Sequence, residues 1–245
     1  MSENHRQRIA LVTGANKSIG FEVARQLARR GDTVLLGARN EERGREAEAK
    51  LKNEGFDAHF VQLDVEDAAT HQRAAALVEE KFGKLDVLVN NAGVALDADF
   101  KAGNVSQDLL RKTFDTNFFG VVAVTQAFLP LVRKSDAGRI VNVSSGLGSL
   151  TQHSDPTWEF YEVKPLAYNA SKTALNAFTV MLAHELKDTN IKVNSADPGF
   201  TATDLNGHRG YRSVEQGAFI IVELATLPQD GATGGYFDDQ GALPW

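Results

Sequence analysis

Cysteine is absent from the 245 residues, which excludes disulfides, thiolate nucleophiles and cysteine-based metal sites and fits a reducing compartment. Proline is scarce, with six in all, and no Pro/Gly/Ser-rich stretch, low-complexity tract or repeat marks a linker between domains. There is no excess of positive charge: 26 basic against 32 acidic side chains leave a net charge of -6, so no basic footprint awaits nucleic-acid phosphates. No uninterrupted apolar run reaches the length of a bilayer span. The opening Met1-Ser2-Glu3-Asn4-His5-Arg6 has no apolar signal core. What is present, 42% hydrophobic and 24% charged residues, is the composition of an ordinary folded chain. The expectation is one soluble, cytoplasmic domain over residues 1–245, with a small-molecule substrate and no metal, nucleic-acid or membrane partner.

Short β-branched runs alternate with longer helical patterns. Ile9-Ala10-Leu11-Val12, Thr33-Val34-Leu35-Leu36, Ala58-His59-Phe60-Val61, Leu85 to Val89, Arg139 to Val143 and Ile191 to Asn194 read as strands. Between them lie helical stretches: one from Phe21 ending at Gly31, then Glu41 to Asn53, Asp67 to Phe82, one long helix from about Ser106 to Arg133, and Ala167 to Lys187. A last helix is expected from Val214 to Ala225. Strands apolar throughout and separated by helices predict βαβ units in a parallel sheet, covered on both faces: a single Rossmann-type, doubly wound α/β fold. In that architecture ligands bind beyond the carboxyl ends of the strands, so the chemistry is sought there.

After the first strand comes Thr13-Gly14-Ala15-Asn16-Lys17-Ser18-Ile19-Gly20 and then a helix, the arrangement that aims a helix N-terminus at an anion. Gly14 permits a tight turn and Gly20 close packing. A plain βα turn is the bland alternative. The segment resembles the TGxxxGxG turn of the short-chain dehydrogenase/reductase family, with Ser18 where the middle glycine is usual. A serine here is expected to cap the helix and to reach a phosphate oxygen.

The resemblance implies a dinucleotide, and the residues after the second strand bear on which one. No carboxylate follows Leu36-Gly37-Ala38 until Glu41, whereas Arg39 is in place. A guanidinium there favours the 2'-phosphate of NADP, with Lys17 as a second positive charge. The alternative is that Arg39 caps a helix start at the surface. Asp64 and Val65 match the family positions beside the adenine, and Asn90-Asn91-Ala92-Gly93 matches its NNAG turn.

Tyr168-Asn169-Ala170-Ser171-Lys172 carries the family's YxxxK pattern. One helical turn puts Tyr168 and Lys172 on one face, where an ammonium would lower the phenol's pKa from about 10. By resemblance both residues also reach the nicotinamide ribose. Ser145, preferred to Ser144, matches the serine that holds the substrate oxygen, and Asn117 the asparagine supporting a water beside Lys172. Tyr161 is set aside as the acid because its lysine, Lys164, stands three residues on beside Pro165. Pro198-Gly199-Phe200-Thr201-Ala202-Thr203 resembles the PG motif; Pro198, Gly199, Thr201 and Thr203 are expected at the nicotinamide end. The similarity runs from about Arg8 to the C-terminus and is greatest to the carbonyl-reductase branch, which implies NADPH-dependent reduction of aldehydes, ketones or quinones. An NADP(H)-sensing protein, an alcohol or polyol dehydrogenase and a 3-oxoacyl reductase remain as alternatives.

The interval between Ser145 and Tyr168 is long for the family. Residues at about 147–166 resemble a shortened form of the carbonyl-reductase insertion, which implies a monomer or small homo-oligomer. Trp158, Phe160 and Tyr161 either line the substrate pocket or anchor that insertion; His153 has no companions to make it a catalyst. Thr203 to Arg212 is expected to form a mobile substrate loop. Its His208, Arg209 and Arg212 are read as a solvated basic face or an anion site.

Overall fold

The computed structural model describes residues 7–98 and 100–245. The opening stretch read above as lacking a signal core lies outside them. The apolar runs become β1 (Ile9–Thr13), β2 (Thr33–Ala38), β3 (Ala58–Gln62), β4 (Val87–Asn90), β5 (Arg139–Val143) and β6 (Lys192–Ala196). They join two short C-terminal strands, β7 (Tyr236–Asp238) and β8 (Gly241–Ala242), in the order β3-β2-β1-β4-β5-β6-β7-β8. All pairings are parallel except β7 with β8. The chain winds outward from β1 to β3, then returns past β1 to β4, so the strand order reverses between β1 and β4 and opens a crevice at their carboxyl ends.

Every residue of β1, β2 and β5 is buried, which is why these runs show no polar face. Alternation along the strand divides them between two cores. Ala10 and Val12 pack with Val23 and Leu27 of α1 (Ser18–Arg29) and Ile221 of α8 (Val214–Ala225). Ile9 and Leu11 pack on the other face with Val78 of α3 (Ala68–Phe82), Phe128 of α5 (Gly120–Val132) and Leu182 of α7 (Leu166–Glu185). Burying each such Leu or Phe contributes about 1.5–3 kcal/mol. The remaining helices are α2 (Glu41–Asn53), α4 (Gln107–Phe114) and α6 (Leu150–His153).

Two expectations change. The strand expected from Leu85 starts at Val87, because the Leu85 amide donates to the Leu131 carbonyl at 3.1 Å instead of joining the ladder. The single helix expected from Ser106 to Arg133 starts as expected, capped by the Ser106 hydroxyl, but a π-helical turn at Asp115–Phe119 separates α4 from α5. Taken together, Gln107–Val132 is long enough for a bilayer span and holds an 18-residue window of mean hydropathy 1.2, which a count of uninterrupted apolar residues misses; half of that window is buried. Its Val124, Phe128 and Leu131 belong to the core between sheet and helices, as in a globular interior.

Candidate active site

The glycine turn leads from β1 into α1. Gly14 has φ +65°, and a Cβ there would stand 3.1 Å from the Ala92 Cα. A Cβ on Gly20 would meet the Asn91 Nδ2 at 2.4 Å and the Gly14 oxygen at 2.6 Å. The NNAG turn is fastened to the same place: the amides of Asn91 and Ala92 donate to the Thr13 hydroxyl at 2.9 and 3.0 Å, and Asn91 Nδ2 donates to the Thr13 carbonyl at 2.9 Å. The ends of β1 and β4 thus form one rigid floor. Asn16 and Ile19 face the space above it.

Ser18 behaves differently from the expected cap. The residue at the cap position is Lys17, which makes no side-chain capping bond, while Ser18 begins the helix with φ 55°. The backbone here requires the left-handed region, where a side chain costs about 1–2 kcal/mol and glycine costs nothing sterically. Ser18→Gly is therefore expected to raise stability by about 0.5–1 kcal/mol after the added freedom of the unfolded chain is offset. Urea unfolding with an unchanged m-value measures this, and a loss of stability contradicts it.

Above the floor lies a cavity of about 500 Å³ lined by the glycine turn, Arg39, Asp64, Val65, Asn91, Ala92, Gly93, Tyr168, Lys172, Pro198 and Thr203. These are the expected cofactor residues, except that Gly199 and Thr201 line the neighbouring cavity instead. The glycines fit a dinucleotide, since any Cβ at Gly14 or Gly20 would fill the cradle or collide with its floor. Arg39 does not cap α2: the Asn40 side chain does, accepting from the Arg43 amide at 2.9 Å. Arg39 is exposed at the end of the cavity beside β2 and α2, and Arg43, which carried no signal in the sequence, lines it too. Lys17 is paired with Asp204 across the mouth of the cavity, so its expected role at a phosphate competes with that bond.

Tyr168, Lys172, Ser145 and Asn117 converge. The Lys172 ammonium is 4% exposed, donates to the Val143 carbonyl at 2.8 Å and lies 5.7 Å from the centre of the Tyr168 ring. The Ser145 hydroxyl accepts from the Leu147 amide at 3.2 Å and lies close enough to the Tyr168 phenol to lower its pKa, while the neighbouring Ser144 hydroxyl is buried beside Tyr236. Asn117, in the π-helical turn, is fully buried. Its side chain accepts from the Val94 amide and donates to the Val94 carbonyl, both at 2.8 Å, and donates to the Ser171 hydroxyl at 3.0 Å. It therefore braces the segment after the NNAG turn against α7, beside Gly93 and Lys172.

The electrostatics run against the expectation for the tyrosine. Burial pushes the Tyr168 phenol up to about 12; the Ser145 hydrogen bond works the other way, and the Asp197 charge adds to the rise. Burial also brings Lys172 down to about 8, with Asp197 opposing it. Desolvation sets both directions because both groups lie in the same dry wall; only the Ser145 hydroxyl opposes it at the phenol and only the Asp197 charge at the ammonium. At neutral pH the phenol is firmly protonated, a state suited to giving a proton.

Tyr168 stands where the first cavity meets a second, of about 1210 Å³, whose wall includes Ser145, Trp158, Phe160, Asp197, Phe200 and Tyr211. The insertion serves both readings given to it. Trp158 and Phe160 line the cavity, their rings 5.6 Å apart, while Tyr161 lies outside its wall with the Lys164 ammonium 4.2 Å over its ring. His153 is the anchor: its ring bonds the Leu147 carbonyl and Lys164 Nζ at 2.9 Å each, and burial lowers its pKa. The segment from Thr203 to Arg212 holds a short 3-10 turn at Asp204–Asn206 and is tied at both ends. Arg212 grips Asp239 at 2.6 and 3.0 Å, and His208 reaches Asp204 at 2.8 Å, so neither is left free for an anionic substrate.

Three supporting residues escaped the sequence reading. Asp97, with no exposed surface, accepts from the Ala167 and Tyr168 amides at 2.6 and 3.3 Å and so fixes the first turn of α7. Tyr236 donates its hydroxyl to the Ser145 carbonyl and stacks on Trp245 at 5.5 Å. Asp197 follows β6 directly and is discussed below. Only Asp197 carried a local signal, as a carboxylate immediately before Pro198-Gly199.

Comparison with known proteins adds to this geometry. Residues 8–212 match the short chain dehydrogenase family. The chain is 36% identical to (-)-isopiperitenone reductase of Mentha piperita over 97% of its own length and 98% of that protein. That alignment runs over 310 positions, longer than the chain, so the relative carries inserted stretches absent here. It is 40% identical to the short-chain dehydrogenase anuI of Penicillium roqueforti, covering 96% of this chain and 95% of that one. The NADPH-bound carbonyl reductase from chicken fatty liver superposes with a TM-score of 0.85 at 27% identity, over 98% of this chain and 100% of that structure.

Proposed function

This chain belongs to the short-chain dehydrogenase family and is an NADP-dependent oxidoreductase acting on CH–OH or C=O groups, and we propose that it works as an NADPH-dependent reductase of ketones, aldehydes or quinones. The observation that carries the reading is the position of Tyr168, protonated and beside Ser145, at the junction of a dinucleotide-sized cleft with a large, partly aromatic cavity.

Gly14 to Gly20, Arg39, Asp64, Asn91 to Gly93, Lys172, Pro198 and Thr203 hold the dinucleotide, which when bound supplies the hydride. Ser145 and Tyr168 hydrogen-bond the substrate's carbonyl oxygen, and Tyr168 gives up its phenolic proton as alkoxide charge develops. Lys172 orients the ribose and stabilises the phenolate that remains. Asn117 and Asp97 fix the positions of these groups.

A pH dependence follows with a definite sign. Lys172 carries its proton below about 8 and loses it above, while Tyr168 stays protonated through that range. Reduction is expected to fall as pH rises through about 8, which kcat/KM against pH measures; a flat profile up to the ordinary lysine range contradicts the assignment. The reading as a whole is tested by NADPH consumption, followed by absorbance, with a panel of aldehydes, ketones and quinones and with NADH run beside it. Turnover that requires NADPH is the expected result. NADPH binding without turnover of any member overturns it in favour of a dinucleotide sensor.

A further inference from the structure

Asp197 takes no part in the steps above, yet its carboxylate lies in the wall of the larger cavity with Ser145 and Tyr168. One oxygen accepts from the Gly199 amide at 2.9 Å, and the Gly146 amide lies close enough to lower the carboxyl's pKa. A carboxylate has about four acceptor positions, so two amides leave it open toward the cavity. No cation offsets its charge at ion-pairing distance among the described residues; of the two whose fields it shares, Lys172 donates to the Val143 carbonyl and Arg212 is committed to Asp239. Burial accordingly pushes the Asp197 carboxyl up, the direction expected of an uncompensated charge.

Two further groups point to what belongs beside it. The Gln152 Oε1 is buried and accepts no hydrogen bond. From the position a Cβ on Gly146 would take, Asp197 Oδ2 is 3.0 Å away, the indole Cζ2 of Trp158 3.4 Å and Gln152 Oε1 3.5 Å. A carboxylate oxygen, an amide oxygen and an indole edge therefore surround one point in the wall. From Trp158 the aromatic surface continues edge-to-face through Phe160, Phe200 and Tyr211, with ring centres 5.6 to 5.9 Å apart. Acceptors and aromatic rings together favour an organic cation and disfavour an anion.

We propose that the substrate cavity selects carbonyl compounds bearing a protonated amine, with Asp197 taking the ammonium and Trp158 and Phe160 covering its alkyl groups. The inference rests on the carbonyl-reductase reading and names the substrate class of that same site. An ammonium arriving at Asp197 supplies the missing counter-charge, and Gln152 Oε1 gains a donor. A charge-assisted bond of this kind corresponds to a preference of about ten-fold or more over a neutral isostere.

The test uses a matched pair of ketones that differ only in a dimethylamino group against an isopropyl group. Wild-type protein is expected to show kcat/KM about ten-fold or more higher for the amine, chiefly through KM. Asp197→Asn, and Asp197→Ser as a second variant in case the first misfolds, should bring the ratio close to one. Quenching of indole fluorescence in the NADPH complex measures the same preference as binding, without turnover. A wild-type ratio at or below one, or a ratio unchanged in both variants, overturns the proposal. Neutral ketone reduced without an amine preference removes the amine subsite and leaves the reductase; preferential amine binding with neither ketone reduced does the reverse.

Discussion

Tyr168→Phe is expected to lower the rate of NADPH-dependent reduction by about 10³-fold while NADPH affinity changes by no more than about three-fold. The phenylalanine ring fills the same buried space beside Lys172, whose ammonium is held by the Val143 carbonyl and not by the phenol oxygen. What the variant lacks is the oxygen that lies beside Ser145 and gives up a proton. The loss belongs in kcat, because proton donation is made in the transition state and contributes little to ground-state binding. Steady-state kinetics with a direct measurement of NADPH binding separates the two. Near-normal turnover in the variant would remove Tyr168 from the mechanism.

The second large effect concerns cofactor choice. Arg39→Asp is expected to lower kcat/KM with NADPH by about 10²-fold and to raise it with NADH, so that the preference reverses. The substitution removes a planar guanidinium suited to a 2'-phosphate and puts in its place a carboxylate that repels phosphate and accepts from a ribose hydroxyl. Arg43 lines the same end of the cavity and leaves some attraction for phosphate, which is why the change falls short of abolition. Lys17, paired with Asp204, contributes less: Lys17→Ala should weaken NADPH by only about three-fold, since the attraction it offers is already partly satisfied. Kinetics with both cofactors measure these ratios, and a preference untouched by Arg39→Asp contradicts the account.

The sheet was legible because parallel strands buried on both faces read as continuous apolar runs, and Ile9 to Val12 and Arg139 to Val143 do so. β7 and β8 were not, being three and two residues long with little pattern to detect. The π-helical turn at Asp115–Phe119 contains no glycine or proline and keeps the chain helical throughout, so the sequence on either side reads as one helix. Within the site, residues matched by motif also meet in space: Tyr168, Lys172, Ser145 and Asn117 are neighbours, as are the glycine turn and Asn91. Interactions between distant segments had no local signal. Asp97 fixes the start of α7 from 70 positions away, and Tyr236 supports Ser145 from 91. Ser18 was misread because a serine before a helix usually caps it, whereas its conformation here is set by the turn.

The pKa of the tyrosine shows how much depends on solvent exclusion. Spacing alone puts an ammonium one turn from a phenol and suggests a lowered value, but spacing carries no information on burial. In the folded protein Lys172 and Tyr168 share a desolvated wall with Asp197, and burial raises one and lowers the other. The balance favours a protonated donor, which fits reduction better than oxidation.

The most direct test of the central claim, hydride transfer to a carbonyl carbon with Tyr168 as proton donor, is isotope tracing with NADPH deuterated at the transferable C4 position. The product of any ketone turned over is then examined by mass spectrometry and NMR. The account predicts one deuterium on the new carbinol carbon, on a single face, and a hydroxyl proton drawn from solvent through Tyr168. A deuterium-free carbinol carbon, or deuterium found elsewhere in the product, would contradict it.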